Sequence, residues 1–456
     1  MDLSCFKAYD IRGRIPDQLN PDLAEKIGFA YARILGTLKV VVGYDIRESS
    51  PELTEALCNG LRSAGADVYN IGMGGTEQVY FSTFHYQMDG GIMVTASHNP
   101  KDYNGLKMVM KDSRPVNGDT GLNAIKEMIE SGGCDAIPEA TGKEYSLNSM
   151  DDYIQHLLNY IDLKGLKPLK IVVNAGHGGA GIVIDEIERH LPFEFIKVHH
   201  NPDGSFPAGV PNPLLVENRA STQQAVIEHG ADFGIAWDGD FDRCFMFDEK
   251  GEFIEGYYIV GLLAQQFLSH HPGEKIIHDP RLTWNTQAVV SESGGTPIES
   301  KTGHAFIKQV MRETDAIYGG EMSAHHYFRS FAYCDSGMIP WLLLAERLGR
   351  TEATLSSLLK ERMAAFPASG EINRTLTQPQ HVLKGIEQQY AEQAIEISYI
   401  DGLSMEFAEW RFNLRLSNTE PLARLNVESR GDSALMKTKT NEILSTIEKL
   451  DSSTNH

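Results

Sequence analysis

The sequence has no long apolar run, no closely spaced cysteine pair and too few basic residues to balance its acids. Its five cysteines (Cys5, Cys58, Cys134, Cys244 and Cys334) are widely spaced and odd in number. That spacing argues against a disulfide framework and fits reduced thiols. No stretch approaches the ~18 apolar residues a membrane helix needs. The opening "MDLSCFKAYDIRG" has no apolar h-region, so no signal peptide is expected, and Cys5 is not expected to carry lipid. Lysine and arginine number 41 against 62 acids, a net charge of −21. The deficit argues against nucleic acid and membrane as partners. It leaves room for a small anion, because a local basic cluster can oppose the global field. A cytoplasmic protein is expected, as monomer or homodimer.

What is present is enough for several globular cores. Apolar residues make up 41% of 456, and a chain of this length suggests about three domains. Short apolar runs alternate with helical stretches. "LKVVVGYD" (38–45) reads as a strand, "PELTEALCNGLRSAG" (51–65) as a helix with Pro51 in its first turn and Gly65 as its stop, and "ADVYNIG" (66–72) as a strand. The same order returns from "LKIVVNAG" (169–176) and again from "EKIIHDP" (274–280). Each unit is followed by a strand that ends in a polar loop: "GGIMV" before "TASHNP", "DFGIAW" before "DGDFDR", "AIYGG" before "EMSAHH". The repetition predicts three similar α/β domains with mixed sheets. Further on, "WRFNLRLSNTEPLARLNVES" (410–429) alternates apolar and polar residues between two helical segments. It reads as a half-buried strand–loop–strand in a smaller α+β domain. The final "DSSTNH" reads as a loose tail.

The polar loops carry the chemistry. In "DGDFDR", Asp238, Asp240 and Asp242 stand two apart. Three carboxylates so close repel unless a cation joins them, and hard oxygen ligands suit Mg²⁺ or Ca²⁺. An EF-hand is a poor alternative, because Arg243 stands where its loop needs glycine and both flanks read as strands. A solvated acidic turn is the other reading. Mg²⁺ is preferred, since it takes few carboxylates together with a phosphate oxygen. Ser97 in "TASHNP" reads alone as a turn or helix cap. With Lys107 close downstream and a metal nearby, it could instead carry a phosphoryl group. In "GEMSAHH", Glu321 and Ser323 stand two apart and could grip sugar hydroxyls, or belong to an ordinary loop. "RLSNTEPLAR" gathers Arg415, Ser417, Asn418, Thr419 and Arg424. That is a phosphate cradle or a simple hairpin turn. Arg12 in "YDIRG" could equally be a surface arginine. The histidine pairs at 199–200 and 270–271 read as surface features.

Together and in this order, from "KAYDIRG" to "RLNVESRGD", these loops resemble the α-D-phosphohexomutase superfamily, whose members move phosphate between C1 and C6 of a hexose. "KTGHAFIK", "GEMSAHHYF" and "RLSNTEP" are most similar to its bacterial phosphomannomutases, which feed GDP-mannose synthesis. The resemblance implies four domains around a central cleft: 1–143, 144–249, 250–366 and 367–456. It implies that Ser97 is a phosphoserine, that Asp238, Asp240, Asp242 and the serine phosphate hold Mg²⁺, and that Arg243, Lys107 and Arg12 add positive charge there. Glu321 and Ser323 would hold O3 and O4 of the sugar, with His304, His325 and Arg281 lining the site. Arg415, Ser417, Asn418, Thr419 and Arg424 would hold the non-reacting phosphate. His325 and Lys107 are both candidates for the general base. A hexose 1,6-bisphosphate is the implied intermediate and activator, and the C-terminal domain is expected to hinge. His177 departs from the pattern, standing where such proteins often carry Asn. Three alternatives remain: a mutase serving glucose as well as mannose, a phosphatase, and a non-catalytic phosphosugar-binding protein.

Overall fold

The computed structural model describes residues 2–416 and 422–452. The expected loose tail and the "SNTEP" loop therefore lie outside the described residues, apart from Asp451 and Ser452, which end a helix. The chain forms two compact units. One holds the residues up to Ile254 together with Ala324–Thr354, the other Glu255–Ser323 together with the residues from Leu355 onward.

The first unit contains two mixed sheets. In the first, Lys39–Tyr44 pairs in parallel with Gly90–Val94 and with Asp67–Met73, while Tyr103–Met110 runs antiparallel to Gly90–Val94 and to Ile11–Arg14. "GGIMV" is buried at every position, as a central strand covered on both faces must be. The helices Pro21–Leu35 and Ser50–Ser63 cover this sheet. They approach so closely that a Cβ on Gly60 would lie 1.9 Å from the Glu25 carbonyl, and one on Gly28 2.3 Å from that of Leu57. The first of these helices begins where Asn20 accepts the Leu23 amide, with Pro21 in its first turn, and stops at left-handed Gly36. The second sheet places Phe233–Trp237 between parallel Lys170–Asn174 and antiparallel Cys244–Phe247. Both flanks of "DGDFDR" are thus strands, which is incompatible with an EF-hand. A short hairpin, His326–Phe328 with Cys334–Asp335, completes the unit.

In the second unit, Lys275–His278 pairs in parallel with Thr296–Glu299 and with Tyr318–Gly320. A separate sheet is antiparallel throughout, in the order Ile372–Thr375, Leu422–Ser429, Trp410–Leu416, Leu403–Glu406, Glu396–Ser398. The helices Pro379–Tyr390 and Ser433–Ser452 close its core around stacked Phe407 and Trp410, whose ring centroids are 4.2 Å apart. One expectation fails here. The strand pair alternates as a half-buried sheet should, yet its polar positions Arg411, Asn413, Asn426 and Glu428 are buried too. The charges of Arg411 and Glu428 are satisfied inside the unit, as is Asn413 Nδ2, whereas Asn413 Oδ1 and both polar atoms of the Asn426 side chain have no hydrogen-bond partner among the described residues. Arg411 donates to the carbonyls of Pro280 and Arg281, and Glu428 accepts the Thr283 amide.

Candidate active site

The nucleophile candidate sits where a fully buried strand runs out. Ser97 lies three residues beyond Val94, is 4% exposed and has φ +49°. Left-handed backbone is uncommon for a residue with a Cβ and is held only by its surroundings. The Ser97 hydroxyl donates to Asp238 Oδ2 at 2.9 Å and lies 3.1 Å from His98 Nδ1.

Asp238, Asp240 and Asp242 leave the end of Phe233–Trp237 and are all buried. One carboxylate oxygen from each lies within 4.8 Å of the others, a grouping that can hold a metal ion. Phe241 turns the loop inward. Its backbone is left-handed at φ +45° and its ring packs against Gly75, where an added Cβ would meet it at 2.2 Å. Asp240 Oδ1 and Asp242 Oδ1 are buried without a hydrogen-bond partner. Orphaned acceptors are costly in a low-dielectric interior, and a divalent cation would satisfy both. The residues present fit such an ion.

Cations already converge on this cluster. The Arg243 guanidinium grips Asp238 Oδ2 through Nε at 2.8 Å and a terminal nitrogen at 2.7 Å. Lys107 donates to Asp240 at 2.7 Å and to Asp242 at 2.5 Å. Burial opposes the lysine's charge, but the two carboxylates overcome it and push its pKa up. Burial likewise opposes ionised Asp242, yet Lys107, His325 and Arg243 hold that carboxyl well below the usual range. Arg12 pairs across the sheet with Gly105, on the face shared by Lys107, and donates to Asn99 Oδ1 at 2.6 Å in the serine loop. His325 lies with its Nε2 3.6 Å from Asp242 Oδ1 and 3.9 Å from Asp335 Oδ2. The first unit thus gathers Ser97, Lys107, Arg12, Arg243, His325 and the three aspartates.

The second unit gathers another group. Asp279 fixes Arg281 by accepting its backbone amide, Nε and a terminal nitrogen at 2.9, 3.1 and 2.7 Å. Arg281 then donates to Ser323 Oγ at 3.2 Å and lies 3.7 Å from Glu321. Glu321 accepts the Gly303 amide at 3.0 Å, which sets it beside His304 at the start of the next helix. Arg415 and Arg424 face each other across their strands, a like-charge pair that would repel if left alone. Glu371 lies 3.5 Å from Arg415, 4.0 Å from Arg424 and 3.5 Å from Arg281. Ser417, Asn418 and Thr419 lie outside the described residues.

Reading motifs alone misses several participants. His98 bridges Ser97 and Arg243, and Thr76 donates to Asp240 Oδ2 at 2.5 Å. Although part of the His98 ring reaches solvent, desolvation and then the Arg243, Arg12 and Lys107 charges push its pKa well down, which keeps it neutral. Asp279 and Glu371 organise the arginines. His98 was visible beside Ser97. Thr76, Asp279 and Glu371 had no signal beyond ordinary turn chemistry.

Four family models match the chain in order. They are phosphoglucomutase/phosphomannomutase alpha/beta/alpha domains I, II and III, over residues 4–133, 151–251 and 255–366, and the C-terminal domain, over residues 371–444. The chain therefore belongs to the phosphoglucomutase/phosphomannomutase family, with three α/β domains and a C-terminal domain. A phosphomannomutase of Salmonella montevideo is 61% identical over 449 residues, spanning 97% of this chain and 98% of the relative. A protein of Xanthomonas campestris pv. campestris (strain B100) named "Phosphohexose mutases" is 58% identical over 443 residues, 97% of this chain and 99% of that one. Among solved structures, a phosphoglucomutase/phosphomannomutase family protein of Burkholderia thailandensis superposes with a TM-score of 0.87 at 34% identity, covering 98% of each chain.

Proposed function

We propose that this protein is a phosphomannomutase, an isomerase that interconverts mannose 1-phosphate and mannose 6-phosphate through a phosphoserine at Ser97. The observation that carries the reading is the Ser97 hydroxyl 2.9 Å from a buried aspartate triad already braced by Arg243 and Lys107. A sugar cannot pass its own C1 phosphate to its C6 oxygen, so a covalent relay is required. The phosphoryl group on Ser97 Oγ passes to O6 of mannose 1-phosphate, whose hydroxyl proton goes to a base. The bound hexose 1,6-bisphosphate reverses its orientation. Its C1 phosphoryl group then returns to Ser97 Oγ, the base gives its proton to the departing O1, and mannose 6-phosphate leaves.

Asp238, Asp240, Asp242 and the serine phosphate would hold Mg²⁺, which supplies charge neutralisation to the transferring group. Arg243, Lys107 and Arg12 add fixed positive charge at the same centre. Lys107 is bound by two carboxylates and stays protonated, which favours His325 as the base for O6. Glu321 and Ser323 present an acceptor and a hydroxyl to O3 and O4, groups the sugar offers in either orientation. Arg415 and Arg424, with Ser417, Asn418 and Thr419, hold the phosphate that is not reacting. His304 and Arg281 line that site. The broader name of the Xanthomonas relative supports glucose 1-phosphate as a second substrate. Delivery of product into GDP-mannose synthesis goes with the mannose reading.

The test is ³¹P NMR with Mg²⁺, mannose 1-phosphate and a trace of glucose 1,6-bisphosphate, run beside glucose 1-phosphate and the Ser97→Ala variant. Conversion to the 6-phosphate, nearly lost in the variant, is expected. Release of inorganic phosphate would point to a phosphatase, and an unchanged spectrum to a binding protein.

A further inference from the structure

A buried pair outside the loops above fixes the backbone of Ser97. Arg47 follows the strand Lys39–Tyr44, and its side chain is 1% exposed. All four of its terminal N–H groups are spent on carbonyls of the serine loop. One nitrogen donates to Ser97 O at 2.9 Å and Asn99 O at 2.6 Å, the other to Pro100 O at 2.7 Å and Tyr103 O at 2.9 Å. The Phe206 ring covers the guanidinium, with its centroid 5.3 Å away. Asp45 lies 3.3 Å from Arg47 Nε. It accepts the Ser50 hydroxyl and the Thr95 hydroxyl, each at 2.6 Å. The Thr95 oxygen in turn accepts the Ser97 amide at 2.9 Å. Both backbone polar groups of Ser97 are therefore tied, directly or through one residue, to the Asp45–Arg47 pair.

We infer that Asp45 and Arg47 are positioning residues that hold Ser97 in its left-handed conformation, so that its hydroxyl stays aimed at the aspartate triad. This rests on the proposal that Ser97 is the phosphoryl carrier. A left-handed backbone is strained for a residue with a Cβ, and such strain persists only where neighbours over-determine it. Arg47 has no terminal donor left for a substrate, so its positive charge does not serve as a phosphate ligand. Its planar fork matches four carbonyls at fixed angles. A lysine has three donors on a single nitrogen and cannot reproduce that arrangement.

The test compares Arg47→Lys, Thr95→Val and Thr95→Ser with wild type. Each is measured for kcat, KM for mannose 1-phosphate, thermal midpoint, and phosphate uptake at Ser97 from glucose 1,6-bisphosphate by intact mass. Displacing a reacting group by about 1 Å costs about 10²-fold in rate. Arg47→Lys is therefore expected to lower kcat and the phosphate uptake rate by about that factor, with KM unchanged. Thr95→Val cuts both the tie to the Ser97 amide and the hydrogen bond to Asp45, and should lower kcat about tenfold, whereas Thr95→Ser restores both. Should Arg47→Lys not fold, the valine–serine pair decides alone. Wild-type kcat in Thr95→Val, or equal losses in Thr95→Val and Thr95→Ser, would overturn the inference, as would a folded Arg47→Lys with full kcat. Wild-type protein that takes up no phosphate at Ser97 would instead refute the functional proposal.

Discussion

Glu428 is a small target with a large expected effect. It is 0% exposed and accepts from Arg411 at 2.9 Å, from the Thr283 amide at 2.7 Å, from the Trp284 amide at 3.4 Å and from the Tyr257 hydroxyl. All of these lie in the second unit, and the amides belong to the turn that carries Arg281. Glu428→Ala would strand a buried guanidinium, a change that costs about 3–5 kcal/mol. Arg411 keeps two carbonyl acceptors, at 3.0 and 3.1 Å, which favours the lower end. An orphaned Thr283 amide adds about 1–3 kcal/mol. The expected loss is about 4–6 kcal/mol by urea unfolding, together with a raised KM as the Arg281 turn loosens. Replacing both charges, Glu428→Leu with Arg411→Met, removes the stranded charge and should recover about half of that loss. A loss below ~1 kcal/mol in Glu428→Ala, or a double variant as unstable as the two single changes summed, would show that the clamp does not hold this turn.

Two further outcomes are expected. Asp240→Asn removes one carboxylate charge and one of the two orphaned acceptors, so Mg²⁺ should bind at least tenfold more weakly by calorimetry; equal affinity would place the ion elsewhere. His156 is packed among Phe81, Phe84, Tyr160 and Phe331, and burial first, then the charge of His85, pushes its pKa down to about 4. Between that value and the ordinary ~6.5 the unfolded chain binds the proton and the folded chain does not, so stability falls as pH drops through this window. With the ring partly exposed, the fall is about 1–2 kcal/mol. His156→Phe should flatten it in urea midpoints taken from pH 7 to pH 4.5, and an unchanged slope would assign it to other groups.

How much of this was legible in the sequence depended on whether a residue's role was local. Strand ends, caps and polar loops are set by a few neighbours, so "GGIMV" before Ser97 and "DFGIAW" before Asp238 announced themselves by apolar runs that stopped abruptly. The aspartate spacing carried its own electrostatic problem, and the structure answers it with Lys107 from the paired strand of another sheet and with Arg243. Residues whose partners lie far along the chain gave no such signal. Asp45 read only as the end of a strand and Arg47 drew no reading, because the partners that matter sit some fifty residues away. Glu428 read as the wet side of a half-buried strand, because alternation reports two faces but not what covers the second. Arg47 and Glu428 therefore share a property. Each is a buried charge tied to backbone groups of a distant loop, and each bears on a residue that the motifs did reveal. Sequence pattern located the groups proposed to touch the sugar and its phosphates, while the charges that aim those groups emerged only from tracing where every buried amide and carbonyl is bound.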